Sequence, residues 1–536
     1  MSDDLRTTGS LSVAILVSRV LGLVREVVFA ALFGARAVAD AYQAAFTIPN
    51  LLRDLLAEGA LSSAFVPTFT AAIRKDGLHS AYALGNLVWS AVLLLTGGLT
   101  GLGLLFAEEV VVAISSGFAG DANKVALAAY LTRWMMPILC LVSLGAVWMG
   151  MLNAQRRFLA PAMAPAVFNL VSIAGAGAVW LVGGPPIKGI VVWSVATLVA
   201  GIVQAGMQLA ALWRLGYRPR WSMTGLSVHP GVRRIARLMG AAVLGVAAVQ
   251  VAIFVNTRFA GDLPHGALSQ LRYAFRLFFL PLGMFGVALA TVTTTSVSEA
   301  ATDEDRSELA RTVAEATSAG LMLTSASAVG LWILAEPIVD LVYRHGETSH
   351  GDAVAIAAVL RAYVLGLIPY SLLKIMAPAF FSVDRPRIPL FASILGVGVN
   401  VAFNALTYRE FGAPGIATGT ALGATVNALV LRLALSRVIG PVPVPRRATR
   451  WLSLLTANVV MGGAVGGGWW MWQACEAWAG MSTAVMMEVI GLTLMTSMGF
   501  AVFTGLLRVF GYPGADRLWR LPWALVRRRR STRAKG

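Results

Sequence analysis

Apolar runs of about 20 residues or more, each long enough to cross a bilayer's hydrocarbon core as a helix, follow one another from end to end of the chain with short polar loops between them. The pattern predicts fourteen spans, at roughly 9–34, 37–70, 80–107, 124–152, 161–182, 188–213, 230–259, 264–299, 308–333, 353–378, 388–408, 413–438, 450–473 and 482–509. The expected fold class is therefore an all-α polytopic membrane protein with 14 transmembrane helices. No soluble domain is visible. The longest polar stretch, Trp213 to Arg234, has aromatic and basic residues alternating at Trp213, Arg214, Tyr217, Arg218, Arg220 and Trp221. Such a stretch could hold a short interfacial helix, but Gly216, Pro219 and Pro230 favour an irregular linker.

An internal echo groups the spans. Pro161 opens the fifth span and Pro389 the eleventh, while Gly184-Pro185-Pro186-Ile187 and Gly412-Ala413-Pro414-Gly415-Ile416 precede the sixth and twelfth at the same separation. Six spans then form one unit. An even number per unit leaves the two copies with the same orientation, as in parallel repeats related by an axis along the membrane normal. The expected domains are an N-terminal six-helix lobe (1–222), a second six-helix lobe (223–440), and helices thirteen and fourteen with a basic tail (441–536).

Composition fits this reading: 57% of residues are hydrophobic, 13% are charged, and the mean hydropathy is +0.73. The N-terminus lacks the basic stretch of a cleavable signal, and its first apolar run is long enough to stay as an anchor. A formal charge of +17 raises the question of nucleic-acid binding. The basic residues are instead dispersed in short loops, and the one dense run, Arg527 to Arg530, follows the last span, where anionic lipid accounts for it. Arg74 and Lys75, Arg156 and Arg157, Arg385 and Arg387, and Arg446, Arg447 and Arg450 all fall in loops after even-numbered spans. The positive-inside rule makes those loops and both termini cytoplasmic. The loop containing Asp303, Glu304 and Asp305 beside Arg306 departs from the pattern, although acidic residues count little in the rule.

Against this background a few charges stand out. Arg19 and Arg25 lie inside the first span, Arg53 in the second and Arg276 in the eighth. An arginine at the centre of a membrane helix costs roughly 3 kcal/mol on insertion scales, so these four are expected to face a polar interior. On a straight helix Arg19 and Arg25 would lie about 120° apart, and a distortion near Gly22 would let them converge. Pro49 is expected to kink or break the second span. Asp54 and Glu58 share a helix face next to Arg53, as do Arg272 and Arg276 in the eighth span. Asp40, Asp54 and Glu58 are candidate partners for the arginines. A guanidinium is permanently charged and presents a planar fork suited to phosphate oxygens, so the set points to a cavity for an anionic ligand. Snorkelling or packing pairs are the plainer alternative. Lys374 reads as either a cavity group or a snorkelling cation.

No catalytic or metal constellation is evident. The five histidines have no ligand spacing, Cys140 and Cys475 sit in apolar surroundings, and no Gly-rich phosphate loop is present. No cofactor is expected, and any energy must come from an ion or the membrane potential.

The run Ser18-Arg19-Val20-Leu21-Gly22-Leu23-Val24-Arg25-Glu26, with Phe33-Gly34-Ala35, Ala39-Asp40-Ala41, Ile48-Pro49-Asn50-Leu51-Leu52-Arg53, Ala57-Glu58-Gly59-Ala60 and Ala64-Phe65-Val66-Pro67, closely resembles the MurJ/MviN lipid II flippases of the MOP exporter superfamily. Tyr273-Ala274-Phe275-Arg276-Leu277 and Lys374-Ile375-Met376-Ala377-Pro378 extend the likeness across the chain. The resemblance implies two six-helix lobes in a V, two extra helices forming a lipid-tail groove, and a non-enzymatic function in peptidoglycan biosynthesis. Lipid II, the undecaprenyl-pyrophosphate-linked muropeptide, would pass from the cytoplasmic to the periplasmic leaflet of the bacterial inner membrane. It implies substrate-binding roles for Arg19, Arg25, Arg53 and Arg276, with Asp40 and Glu58 as important acids. Implied partners are lipid II, membrane lipids and cell-wall synthesis proteins, with no nucleic acid. Two departures stand out: Asp54 where the family often has arginine, and Phe275 where some members have an acid. The seventh span has Gln250 and Asn256 but no carboxylate, which speaks against the sodium site of some relatives. A flippase for another polyprenyl-linked oligosaccharide, or a membrane glycosyltransferase on the same lipid, are the competing readings.

Overall fold

In hydrocarbon every backbone donor and acceptor must be satisfied within the protein, which leaves helices or a closed barrel. The computed structural model of the chain takes the first course, and no strand occurs among the described residues, 2–55, 60–283, 307–440, 447–479, 485–516 and 518–519. The first half contains α1 (Ser2–Phe33), α2 (Ala37–Arg53), α3 (Ala60–Leu105), α4 (Ala107–Ile114), α5 (Ala122–Met135), α6 (Pro137–Ala154), α7 (Leu159–Val182), α8 (Pro186–Trp213), α9 (Pro230–Gly261) and α10 (Ala267–Pro281). Then come α11 (Ser307–Ile333), α12 (Ala335–Tyr343), α13 (His350–Val364), α14 (Leu367–Ser382), α15 (Arg387–Val438), α16 (Arg447–Ala479) and α17 (Val485–Val509).

Eight of the described helical stretches are long and apolar enough to span a membrane, and α13 with α14, bent by 41°, would add a ninth. The stretches do not map one to one onto the expected spans. In α3 the backbone leaves the helix at Gly77 (φ 80°, ψ 170°) and in α15 at Gly412 (φ 59°, ψ −145°), so each holds parts of two. The fourth span comprises α5 and α6, which meet at Met136, whose αR backbone keeps them on one course into Pro137. Proline suits that first-turn position because its missing N–H would be unpaired there anyway. Pro49 does not break the second span: α2 runs through it to Arg53, and the regular pattern ends at a π turn over 54–55.

The two turns singled out as an echo have similar backbones. Gly183 ends α7 at φ 58°, ψ −170° before Pro186 opens α8, and Gly412 takes nearly the same angles before Pro414. The second turn is one residue shorter.

The chain divides into two compact units. Unit 1 comprises 1–272 with two short returns, 345–352 and 404–413. Its core has Phe65, Phe69, Leu84, Trp148, Met151 and Tyr217 at the meeting of α3, α6, α8 and the linker after α8. That linker forms no helix over 217–223. It is tied down by Tyr217 Oη donating to Asn86 Oδ1 (2.8 Å), by the Arg220 N–H to the same oxygen (3.1 Å) and by the Ser222 N–H to Ser90 Oγ (3.0 Å). Burial pushes the Tyr217 phenol well above its ordinary range. Unit 2 comprises 273–344, 353–403 and 414–536. One of its cores packs α11 on α14 and the end of α15 through Leu309, Val313, Phe380 and Leu431, and another packs α16 on α17 through Met461, Val465, Met495 and Phe503.

Candidate functional site

Of the six expected site residues, unit 1 holds Arg19, Arg25, Asp40 and Arg53, and unit 2 holds Arg276, half-buried on α10. Glu58 lies outside the described residues. α1 is helical through Gly22, so no distortion brings its two arginines together. Arg19 is exposed, while Arg25 is tucked against α7, its guanidinium 5.6 Å from the centre of the Phe168 ring and 3.4 Å from Glu26 Oε2. Asn169, next to Phe168, donates to the Ser18 carbonyl (3.2 Å) and fixes α7 against α1. Little of the Arg25 side chain is exposed, and its only carboxylate contact among those described is this weak one to its chain neighbour.

Arg53, on the last turn of α2, donates from Nε (3.0 Å) and Nη2 (2.7 Å) to the single oxygen Asp54 Oδ1. The pair is about two-thirds buried. At one of the two positions where this chain departs from the resemblance, the acid thus neutralises its neighbour. At the other, Phe275 stands half open beside Phe279 and Tyr363, and Lys374 Nζ lies 5.5 Å above the Phe279 ring.

Asp40 behaves differently from the expectation that it partners an arginine. It is almost fully buried, and its carboxylate accepts from the Gly266 N–H (2.6 Å), the Ser269 N–H (2.9 Å) and Ser269 Oγ (2.7 Å), capping the start of α10. Its counter-ion is Lys124 (3.6 Å), which is also buried, lies 3.9 Å over the Phe118 ring and approaches His265 Nδ1 (3.3 Å). Burial explains the choice. A carboxylate taken out of water must be paired and saturated with donors, and a helix start offers free N–H groups and the positive end of a dipole. Sequence reading missed Lys124 because it sits at the start of a span, where a lone cation normally marks a loop. Arg272, one turn further along α10, donates to Thr47 Oγ1.

The same logic recurs around Asp40. A helix leaves its last carbonyls unpaired, and those of α1 are met by the return at 345–352: the Glu347 N–H donates to the Ala31 carbonyl (2.9 Å) and Thr348 Oγ1 to Ala30 (2.9 Å). The approach is so close that a Cβ on Gly346 (φ +59°) would strike the Ala31 carbonyl, and one on Gly266 (φ +97°) the Ala35 carbonyl. Asp262, after α9, accepts from Ser116 Oγ (2.9 Å) and from Tyr408 Oη (3.4 Å) on the second return. All these groups lie at or just after the ends of odd-numbered spans, so one end of unit 1 is tied together by caps from distant parts of the chain.

The model of one protein family, described as "Lipid II flippase MurJ", matches residues 29–487. The chain belongs to this family. Similar relatives are a lipid II flippase MurJ of Burkholderia cenocepacia, 31% identical over 93% of this chain and 95% of its own length, and a probable lipid II flippase MurJ of Rhizobium meliloti, 34% identical over 78% of each. Among solved structures, a lipid II flippase MurJ in an inward closed conformation superposes with a TM-score of 0.77 over 93% of this chain and 98% of that one, at 22% identity. A multidrug resistance MATE transporter of the MOP superfamily superposes at 0.66 over 79% and 94%, at 17% identity, so the fold is shared with exporters. Membership of the MurJ family makes this chain a multi-pass membrane protein of a transporter family rather than an enzyme. Among the described residues no group of three or more His, Cys, Asp or Glu could hold a metal ion.

Proposed function

We propose that this chain is a lipid II flippase, carrying the undecaprenyl-pyrophosphate-linked precursor of peptidoglycan from the cytoplasmic to the periplasmic leaflet of the bacterial inner membrane. The observation that carries the reading is the match over 29–487, together with arginines that lie within apolar helices. Arg19, Arg25, Arg53 and Arg276 would grip the diphosphate and sugar head, Asp40 and Glu58 would set their surroundings, and the polyprenyl tail would stay in lipid along α16 and α17. Two six-helix lobes and both termini on the cytoplasmic side complete this picture.

The capped end of unit 1 supports alternating access. With orientation taken from the basic loops it is the periplasmic end, and the caps at Ala30, Ala31, Gly266 and Asp262 must release for the head to leave. An anionic head moving outward runs with an inside-negative potential, worth about 2.3 kcal/mol per charge per 100 mV. The potential alone can therefore supply direction.

The deciding experiment is to deplete the protein in its host and measure how lipid II divides between the leaflets. Accumulation on the cytoplasmic side, reversed by the wild-type gene, is expected. An unchanged distribution with loss of another polyprenyl-linked sugar at the surface would favour the oligosaccharide flippase instead. Loss of a glycosyl transfer product with the lipid II distribution intact would favour the transferase.

A further inference from the structure

Unit 2 contains a cleft of about 90 Å³ among α11, α14, α15, α16 and the segment after α17. That is about three times the roughly 30 Å³ one water takes in the liquid, room for a tetrahedral oxyanion. Val313, Leu321, Met376 and Leu454 form apolar walls, and two arginines, Arg432 and Arg450, line the same cleft. The neighbouring arginines Arg311 and Arg508 are paired with Glu308 and Asp516, whereas no carboxylate of the described residues pairs with Arg450. Tyr512 closes one side. Its hydroxyl accepts from Ser318 Oγ (3.0 Å) and donates to the Ser318 carbonyl (3.2 Å), fixing the segment after α17 to α11. Trp451, more than half exposed, stands beside Arg450 on the first turns of α16. Indole rings favour the headgroup depth of a bilayer, and the ends of α14, α15 and α16 that meet here adjoin the basic loops after the tenth and twelfth spans.

We propose that this cleft binds the phosphodiester headgroup of an anionic membrane phospholipid, gripped by Arg450 and Arg432 with its glycerol end against the apolar wall. Basic pockets between helix ends on the positively charged side of a membrane protein suit such headgroups, and the guanidinium fork matches phosphate oxygens. The cleft lies wholly within unit 2 and involves none of the six residues assigned to the transported lipid. Its occupant would pin α16 and the segment after α17 to the rest of the unit.

The test titrates the delipidated full-length protein with phosphatidylglycerol and with zwitterionic phosphatidylcholine by native mass spectrometry. Phosphatidylglycerol should bind more tightly, and Arg450→Gln should weaken it about tenfold, the scale of one charge-assisted hydrogen bond, while phosphatidylcholine binding stays the same. Ala314→Trp, which fills the cleft and keeps both arginines, should have the same effect and guards against a folding defect in the first variant. Equal affinity for the two lipids, or unchanged phosphatidylglycerol binding in either variant, overturns the proposal. Full displacement by millimolar inorganic phosphate would make this a free-anion site instead. If undecaprenyl diphosphate binding, rather than that of phosphatidylglycerol, falls in Arg450→Gln, the cleft belongs to the transported lipid and the assignment is also wrong.

Discussion

At the scale of single residues, the candidate charges separate into those that are available and those that are committed. Arg19 is open and Arg25 rests on an aromatic face, but Arg53 is already held by Asp54. Arg19→Ala, Arg53→Ala and Arg276→Ala should each abolish lipid II translocation with membrane insertion intact, and lysine replacements should rescue only in part, because an ammonium lacks the planar fork. Wild-type flipping in any alanine variant removes that residue from the site. Asp54→Asn removes one anionic competitor for the Arg53 fork, so it should leave headgroup binding equal or tighter; weaker binding would mean that Asp54 orients Arg53 rather than competing for it. Asp40 belongs to the committed class. Removing Lys124 leaves a buried carboxylate without its counter-ion, a change typically worth about 3–5 kcal/mol. Lys124→Met should therefore lower the melting temperature markedly, and Asp40→Asn in that background should recover much of the loss. If the double variant is no more stable than Lys124→Met, the pair is not coupled. The arginines and Asp40 were legible in the sequence because a charge in an apolar run is conspicuous. The pairing of Asp40 with Lys124 was not, since it depends on a fold that brings the starts of α2, α5 and α10 together.

At the scale of elements, the long apolar runs gave correct helices wherever hydropathy alone decides, as in α7, α8, α11 and α17. The errors lie where backbone hydrogen bonding decides. Pro49 is expected to kink or break the span, and α2 does not break there, because proline in a membrane helix costs one donor and its neighbours can make good the loss. The regular pattern gives way a turn later to a π turn at 54–55. The bend between α13 and α14 was read as one continuous span despite Gly366. The caps on α1 and α10 could not be read at all, for they join residues more than 200 positions apart. They lead to a prediction about conformation. Gly346 sits in the left-handed region with no room for a side chain against the Ala31 carbonyl, so alanine there is strained by about 1–2 kcal/mol in the capped state only. Gly346→Ala should shift the population toward an uncapped end. A cysteine placed at buried Ala35 should then react faster with a membrane-impermeant maleimide than in the parent protein. Equal rates would show that the return at 345–352 moves with α1 and is not a latch.

For the whole molecule, the orientation of every site depends on one sequence rule, the excess of arginine and lysine in loops after even-numbered spans. The structure adds an independent physical asymmetry. Among the described residues, segments at or after the ends of the third, seventh, ninth and eleventh spans are poor in basic residues and engaged in the capping contacts of unit 1, with Ser116, Asp262, Glu347 and Tyr408 all participating. Loops so engaged suit the side that stays closed while a headgroup loads from the other. Topology reporters fused after Lys75, Arg157 and Arg450 should therefore read cytoplasmic, and those placed at Glu109 and His350 periplasmic. The His350 fusion is the most informative, because it lies between α12 and the bent pair α13–α14, where the span count rests on reading two short helices as one crossing. A cytoplasmic signal there, with the other four as expected, would require an even number of crossings both between Arg157 and His350 and between His350 and Arg450, and would break the fourteen-span count in the second half. The capped end would then no longer be a single membrane face, and the alternating-access proposal would fall with it.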